Sequence, residues 1–193
     1  MIDLPQGPFG AVLADPPWSF RTYGGKEVAP ARAEQPYSVM SLTDLKALPV
    51  GDVAARDAIL FMWTVSHLQD EATDLARAWG FTSKSVAFIW DKGRVGMGYW
   101  TRQEAEICKL YTRGKPKRLH ADVRQIIRAP RREHSRKPDE QYGRIERLVA
   151  GPYLELFARQ SWPGWVAWGN QVGKYEAAND NEPLSALLRE SAA

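Results

Sequence analysis

The sequence lacks most of what marks a secreted, membrane-bound or metal-dependent protein. Its 193 residues include one cysteine, Cys108, which excludes a disulfide framework and a zinc knuckle. The three histidines, His67, His120 and His134, are too scattered to suggest a metal site, and we expect none. There is no stretch of about 18 apolar residues, and the opening Met1-Ile2-Asp3-Leu4-Pro5 has no basic region followed by an apolar core. We therefore expect a cytoplasmic chain with no membrane partner. No G-x-G-x-x-G fingerprint for a dinucleotide occurs, and no internal repeat. Net charge is only +3, so its total says little about partners. Its distribution says more: between Arg113 and Lys137 stand ten lysines and arginines against two acids, Asp122 and Glu133. Such a run is an electrostatic footprint for a polyanion, or else a solvated face.

What is present supports one core. At 44% hydrophobic residues the chain can bury a single substantial interior, and one domain over residues 1–173 followed by a polar tail, 174–193, is expected. Short runs of branched apolar residues bounded by turn formers read as buried strands. These are Ala11–Ala14, Ala58–Trp63, Ser85–Trp90, Ala105–Tyr111, Ile126–Ile127, Pro152–Ala158 and Trp165–Trp168. Helices are expected after Ser41, over His67–Gly80, after Lys137-Pro138-Asp139-Glu140 and weakly around Leu184–Leu188. The alternation argues for an α/β fold with a doubly wound, mainly parallel sheet. Ser19–Gln35, with Gly24-Gly25, reads as a mobile loop over the site.

The most telling motif is Asp15-Pro16-Pro17-Trp18, set directly after the first strand. A strand's carboxyl end is where open parallel sheets place ligands. The prolines remove two backbone donors and hold the chain extended, so the carbonyls of Asp15 and Pro16 can face a ligand. A carboxylate and a carbonyl accepting the two N–H groups of an aromatic amine favour its pyramidal, attacking form. Trp18 offers a flat face against which the ring can stack. Positioning supplies the rest, with no metal or covalent intermediate required. The competing reading is an ordinary turn followed by a core aromatic.

Two further stretches stand with this motif: His134-Ser135-Arg136-Lys137-Pro138-Asp139-Glu140, and Glu155-Leu156-Phe157-Ala158-Arg159 with Gly164-Trp165-Val166-Ala167-Trp168-Gly169-Asn170-Gln171. Together the three resemble the MT-A family of N(6)-adenine methyltransferases, in order and over about Phe9 to Val172. The segment Gly96–Arg102 and Glu106 look like its small prokaryotic branch. The resemblance implies a Rossmann-like S-adenosylmethionine-dependent methyltransferase. Asp15, Pro16, Pro17 and Trp18 are then catalytic, with Asp15 also beside the cofactor. Lys137 meets the cofactor carboxylate, Arg159, Asn170 and Gln171 meet its ribose, and Glu155 and Phe157 lie along its cleft. Tyr37, Trp63, Trp100, Arg102, Glu106 and Arg113 fall on the substrate side, although Trp63, on an apolar strand, reads as core before it reads as a substrate platform.

The sequence departs from the family pattern in two places. The residues before Asp15 carry no counterpart of the upstream acidic segment that contacts the cofactor adenine in longer relatives. Gln160-Ser161-Trp162-Pro163 also does not repeat the His-Asn pair of the eukaryotic subunit. The expected reaction is methylation of the adenine 6-amino group in nucleic acid, DNA favoured. Alternatives are RNA adenosine, a non-catalytic nucleic-acid-binding subunit, or the cytosine amine, which usually has Ser or Asn where Asp15 stands. Specificity is expected from loops, from a homodimer or from a second subunit.

Overall fold

A computed structural model describes residues 3–18, 40–96, 100–133 and 136–175. Tyr37, His134, the loop expected over Ser19–Gln35 and the helix expected around Leu184–Leu188 lie outside the described residues.

Seven strands form one sheet, and their apolar runs are the ones expected from the sequence. They are β1 (Phe9–Ala14), β2 (Ala54–Thr64), β3 (Thr82–Asp91), β4 (Ala105–Arg113), β5 (Ile126–Arg128), β6 (Tyr153–Leu156) and β7 (Trp165–Trp168). The order across the sheet is β5-β3-β4-β2-β1-β6-β7. All neighbours are parallel except at β4, which runs antiparallel to both β2 and β3. The mainly parallel reading therefore stands, with one reversed strand inside the sheet.

The helices are α1 (Leu42–Ala47), α2 (Val50–Val53), α3 (Gln69–Ala78) and α4 (Glu140–Leu148). Ser41 caps α1 as its sequence suggested: its hydroxyl accepts the Asp44 amide at 3.1 Å and donates to the Asp44 carboxylate at 2.7 Å. Gly80, at φ +85°, closes the turn after α3, a conformation costly to any residue with a Cβ. Among the described residues no helix is long and apolar enough to cross a membrane.

Period-two alternation divides the core into two layers. On β1, Val12 and Ala14 join Leu60, Met62, Leu75, Trp79 and Leu156 on the face covered by α1 and α3. Ala11 and Leu13 join Phe61, Trp63, Trp90, Cys108, Tyr142 and Ile145 on the face covered by α4. The sheet is thus wound on both faces, as the sequence led us to expect.

The second layer carries the chemistry. Glu155 pairs across the ladder with Leu13, Cys108 with Trp63 and Glu106 with Trp90, so these side chains share the α4 face. Because β4 is reversed, its first residues meet the carboxyl ends of β2 and β3, on the same edge of the sheet as those of β1 and β6, and its last residue, Arg113, goes to the opposite edge. The fully buried Leu75 of α3 holds the first layer together. Leu75→Ala is expected to lower unfolding stability by about 3 kcal/mol through lost burial and a residual cavity. Its urea midpoint measures this, and a shift below about 1 kcal/mol would contradict the packing described.

Candidate active site

Asp15 follows β1 at the carboxyl edge, level with Trp63 of β2. Its side chain is largely covered, and both its ion pairs use Oδ2. Lys137 Nζ donates to that oxygen at 2.7 Å, and Arg159 Nη2 at 2.6 Å. Glu106 extends the network: its two oxygens meet Lys137 Nζ at 3.2 Å and Lys92 Nζ at 2.6 Å. The result is an alternating row, Lys92, Glu106, Lys137, Asp15, Arg159, along one edge of the sheet. Burial works to raise the Glu106 carboxyl, but Lys137 and Lys92 outweigh it and hold it below its ordinary value. Burial works against the charge on Lys137 too, and Asp15 and Glu106 override it, so the ammonium is retained more firmly than usual.

A second network lies beside the first. The Tyr142 hydroxyl donates to Glu155 Oε2 at 2.8 Å, and Gln160 Nε2 donates to Tyr142 Oη at 3.2 Å and to Asp139 Oδ1 at 2.9 Å. Arg132 grips Asp139 with both guanidinium nitrogens, at 2.6 and 2.9 Å, and also donates to the Lys137 carbonyl. Asp139 stands at the start of α4, but its side chain serves this network and makes no capping bond to the helix. Burial opposes its charge, and the bonds from Arg132 and Gln160 more than compensate, so its carboxyl stays below the usual range. Glu155 behaves in the opposite way. Burial dominates, the Tyr142 bond only partly offsets it, Asp15 adds repulsion, and the carboxyl is pushed up to about 7.

Asp15, Lys137, Tyr142, Glu155, Arg159 and Gln160 from these networks enclose a narrow cleft lined also by Leu13, Trp63, Phe157 and Tyr175. Trp63 is buried, but it is more than core: its indole N–H donates to Gln141 at 2.7 Å, and Lys137 Nζ sits 5.7 Å from its ring centre. Phe157 adopts φ +61°, a strained conformation for a non-glycine residue, and packs edge-on against Trp168. A Cβ on Gly169 would stand 2.6 Å from the Ala158 carbonyl, so only glycine lets the chain leading to Asn170 and Gln171 pass so close to β6.

Not every expected site residue joins this cleft. Trp18 packs beside Met40 with its indole N–H donated to the Trp63 carbonyl at 3.2 Å. The Pro16 carbonyl does not point freely outward, because it accepts the Trp18 amide at 2.8 Å in a tight turn. A carbonyl has two lone pairs, so one acceptor position remains. The Pro17 carbonyl accepts the Met40 amide at 3.3 Å. Asn170 is exposed beyond β7, whereas Gln171 Oε1 is buried with no hydrogen-bond partner among the described residues. Trp100 is 87% exposed, and Arg102 is exposed beside it on the loop before β4. Arg113 is not brought to the site: it sits at the far edge and donates to the Gly51 carbonyl.

Sequence reading also missed participants. Tyr142, Gln141 and Gln160 line the cleft, and the α4 spacing that marked Tyr142 as a core position gave no sign of its bond to Glu155. Tyr175 lies beyond the expected domain boundary, yet it is buried beneath the guanidinium groups of Arg136 and Arg159 at 5.0 and 6.0 Å from its ring centre. The packed chain therefore continues through at least Tyr175.

The donor set suits a ligand bearing an anionic group and hydroxyls. Lys137, Arg136 and Arg159 supply cations. Gln160 Oε1, Gln171 Oε1 and Arg136 Nε are buried without partners among the described residues, and such groups favour polar ligand atoms. The open space is about 20 Å³, enough for a water and too small for a nucleoside.

The sequence matches the MT-A70 family over residues 9–171. It is 32% identical over 189 residues to the type II methyltransferase M.MunI of a Mycoplasma species, covering 88% of this chain and 80% of that protein. It is 30% identical over 178 residues to the human N(6)-adenosine-methyltransferase catalytic subunit METTL3, covering 86% of this chain and 28% of that protein. An Arabidopsis thaliana protein described as N(6)-adenosine-methyltransferase MT-A70-like is 30% identical over 185 residues, covering 90% of this chain and 25% of its own length. The chain thus spans four fifths of one relative and about a quarter of the other two.

Glu155 makes this geometry testable through pH. A folded carboxyl near 7 against an ordinary value of 4.5 means the folded state binds the proton more tightly. Its contribution is complete below about pH 4.5 and is lost as pH rises through 7. Glu155→Gln, which still accepts from Tyr142, is expected to flatten this decline. Measured by urea unfolding at pH 5 and pH 8, wild type should lose up to about 3 kcal/mol relative to the variant. Equal losses in the two proteins would refute the assignment.

Proposed function

The chain belongs to the MT-A70 family, and from that premise we propose that it methylates the 6-amino group of adenine in DNA, with Asp15 as the acceptor that holds the amine. S-adenosylmethionine is the methyl donor used by the family. The observation that carries the residue assignment is the convergence of Asp15, Lys137, Glu155 and Arg159 on one cleft at the carboxyl edge of a sheet whose sequence matches the family nearly end to end. The DNA preference is supported by coverage, because the chain spans most of the small type II methyltransferase and only about a quarter of the relatives named for adenosine. The adenosine in those names favours RNA as the second reading. A cytoplasmic setting belongs to the same proposal. So does sequence choice by loop residues, acting alone or with a second copy or subunit.

When bound, the cofactor supplies an electrophilic methyl carried on a sulfonium. Lys137, Arg159 and Gln171 are the residues we assign to hold it, with Glu155 and Phe157 along its cleft. The residues of the chain do the remaining work. Both cations grip Asp15 through Oδ2, which leaves Oδ1 to accept an N–H of the adenine amine, and the second lone pair of the Pro16 carbonyl suits the other. With both protons held, the nitrogen lone pair is drawn out of conjugation and toward the methyl. Asp15 is placed to take up the proton the nitrogen loses and to pass it to solvent. Glu106 shares the Lys137 ammonium with Asp15, at 3.2 Å against 2.7 Å.

Transfer of labelled methyl from S-adenosylmethionine to matched single-stranded DNA, duplex DNA and RNA, followed by nucleoside analysis, tests the proposal. N(6)-methyladenine appearing in DNA in preference to RNA is the expected result, and the reverse preference would overturn the DNA assignment. Asp15→Asn preserves shape and is expected to lower transfer at least a hundredfold while cofactor affinity stays within a few-fold. Near-normal turnover of this variant would remove Asp15 from the mechanism.

A further inference from the structure

We propose that the cleft between the ends of β3 and β5 binds the phosphate backbone of the nucleic-acid strand that carries the target base; this rests on the function proposed above. The cleft holds about 700 Å³ and is lined by Asp91, Lys92, Arg94, Arg128, Arg131 and Arg132. Its walls follow directly from the sheet. The chain leaving β3 supplies Lys92 and Arg94, and the chain leaving β5 supplies Arg131 and Arg132. Trp90 ties the two together by donating its indole N–H to the Ala129 carbonyl at 2.8 Å.

Five of the charged side chains lining this cleft are cations and one is an acid, and they are not equally committed. Arg132 is gripped by Asp139, and Lys92 by Glu106. Arg128 has only a 3.8 Å approach to Asp91, with its side chain 79% exposed. Among the described residues neither Arg94 nor Arg131 has an acidic partner, and both are exposed. A cation already neutralised by a carboxylate has little left for a phosphate, so Arg94, Arg128 and Arg131 carry the available charge. Backbone contacts of this kind position a strand without reading its sequence.

The cleft also has the right place. Its wall residue Lys92 bonds Glu106, Glu106 bonds Lys137, and Lys137 bonds Asp15. A strand held there therefore passes beside the acceptor of the target amine. The other half of the basic run does not share this position. Lys115, Lys117 and Arg118 are exposed just after β4, at the opposite edge of the sheet with Arg113. The run that reads as one footprint in the sequence is split by the fold, and only its later half faces the site.

The test compares two charge-matched variants of the full chain binding a fluorescent single-stranded adenine-containing DNA. R94A/R128A/R131A is expected to bind roughly tenfold or more weakly and to reduce the slope of log affinity against log salt by about 2. K115A/K117A/R118A is expected to keep the wild-type slope. The charge-keeping variant R94K/R128K/R131K should retain most of the slope, which separates lost charge from a folding defect. S-adenosylmethionine affinity should be unaltered in all three. If wild type binds and methylates DNA while the first variant keeps its salt slope, the cleft assignment is wrong and the proposed function stands. If wild type neither binds nor methylates nucleic acid, both fall.

Discussion

A largely covered carboxylate gathers this structure around itself. Asp15 cannot be desolvated at a sheet edge without compensation, and its two partners come from 122 and 144 residues further along the chain. Breaking such a partly buried pair by removing one member costs about 3–5 kcal/mol, because the remaining charge is stranded. The loop before α4 and the end of β6 are therefore held in place by the group they serve. Glu106 adds a third element to the same knot through Lys137. An alternating row of five charges gives each member an opposite partner, which a polar sheet edge requires and an apolar core does not.

The two faces of the sheet have been given different work. On the face under α1 and α3 the side chains are almost wholly aliphatic and aromatic, and their contribution is burial. On the face under α4 the same alternation places Trp63, Glu106 and Glu155 at the carboxyl edge, where the loop into α4 brings Lys137 and Asp139 and the helix itself brings Tyr142. Among the described residues, the one non-glycine residue at positive φ lies in the same region. Phe157 at φ +61° and the close passage of Gly169 past Ala158 turn the chain sharply between β6 and the residues after β7. That turn aims Arg159 at Asp15, and the fold tolerates the strain because the surrounding ladder determines it.

The reversed strand β4 sorts the charge. Running antiparallel, it carries Glu106 to the edge that holds Asp15 and Arg113 away from it, and the basic segment that follows has to cross back before β5. A single electrostatic stretch of sequence thus becomes two surfaces on opposite edges. Ion pairing then divides the surface on the Asp15 edge again, into arginines spent on Asp139 and arginines left facing solvent.

What the sequence by itself determined was local. Runs such as Ala58–Trp63 could satisfy themselves only as buried strands, Ser41 and Asp44 announced a helix start, and the position of Asp15 after a strand announced a ligand edge. The order of the motifs identified the family without any coordinates. Tertiary structure decided the rest: that β4 inserts between β2 and β3, that Pro16 gives one lone pair to Trp18, that Trp63 serves the cleft as well as the core, and that Arg113 leaves the site. It also recruited Tyr142, Gln160 and Tyr175, whose chemical roles have no local signature. The reason is physical. Periodicity reports which face of an element is buried, but strand order, register and ion pairing depend on contacts between residues far apart in the chain, and no local pattern encodes which partner will be there.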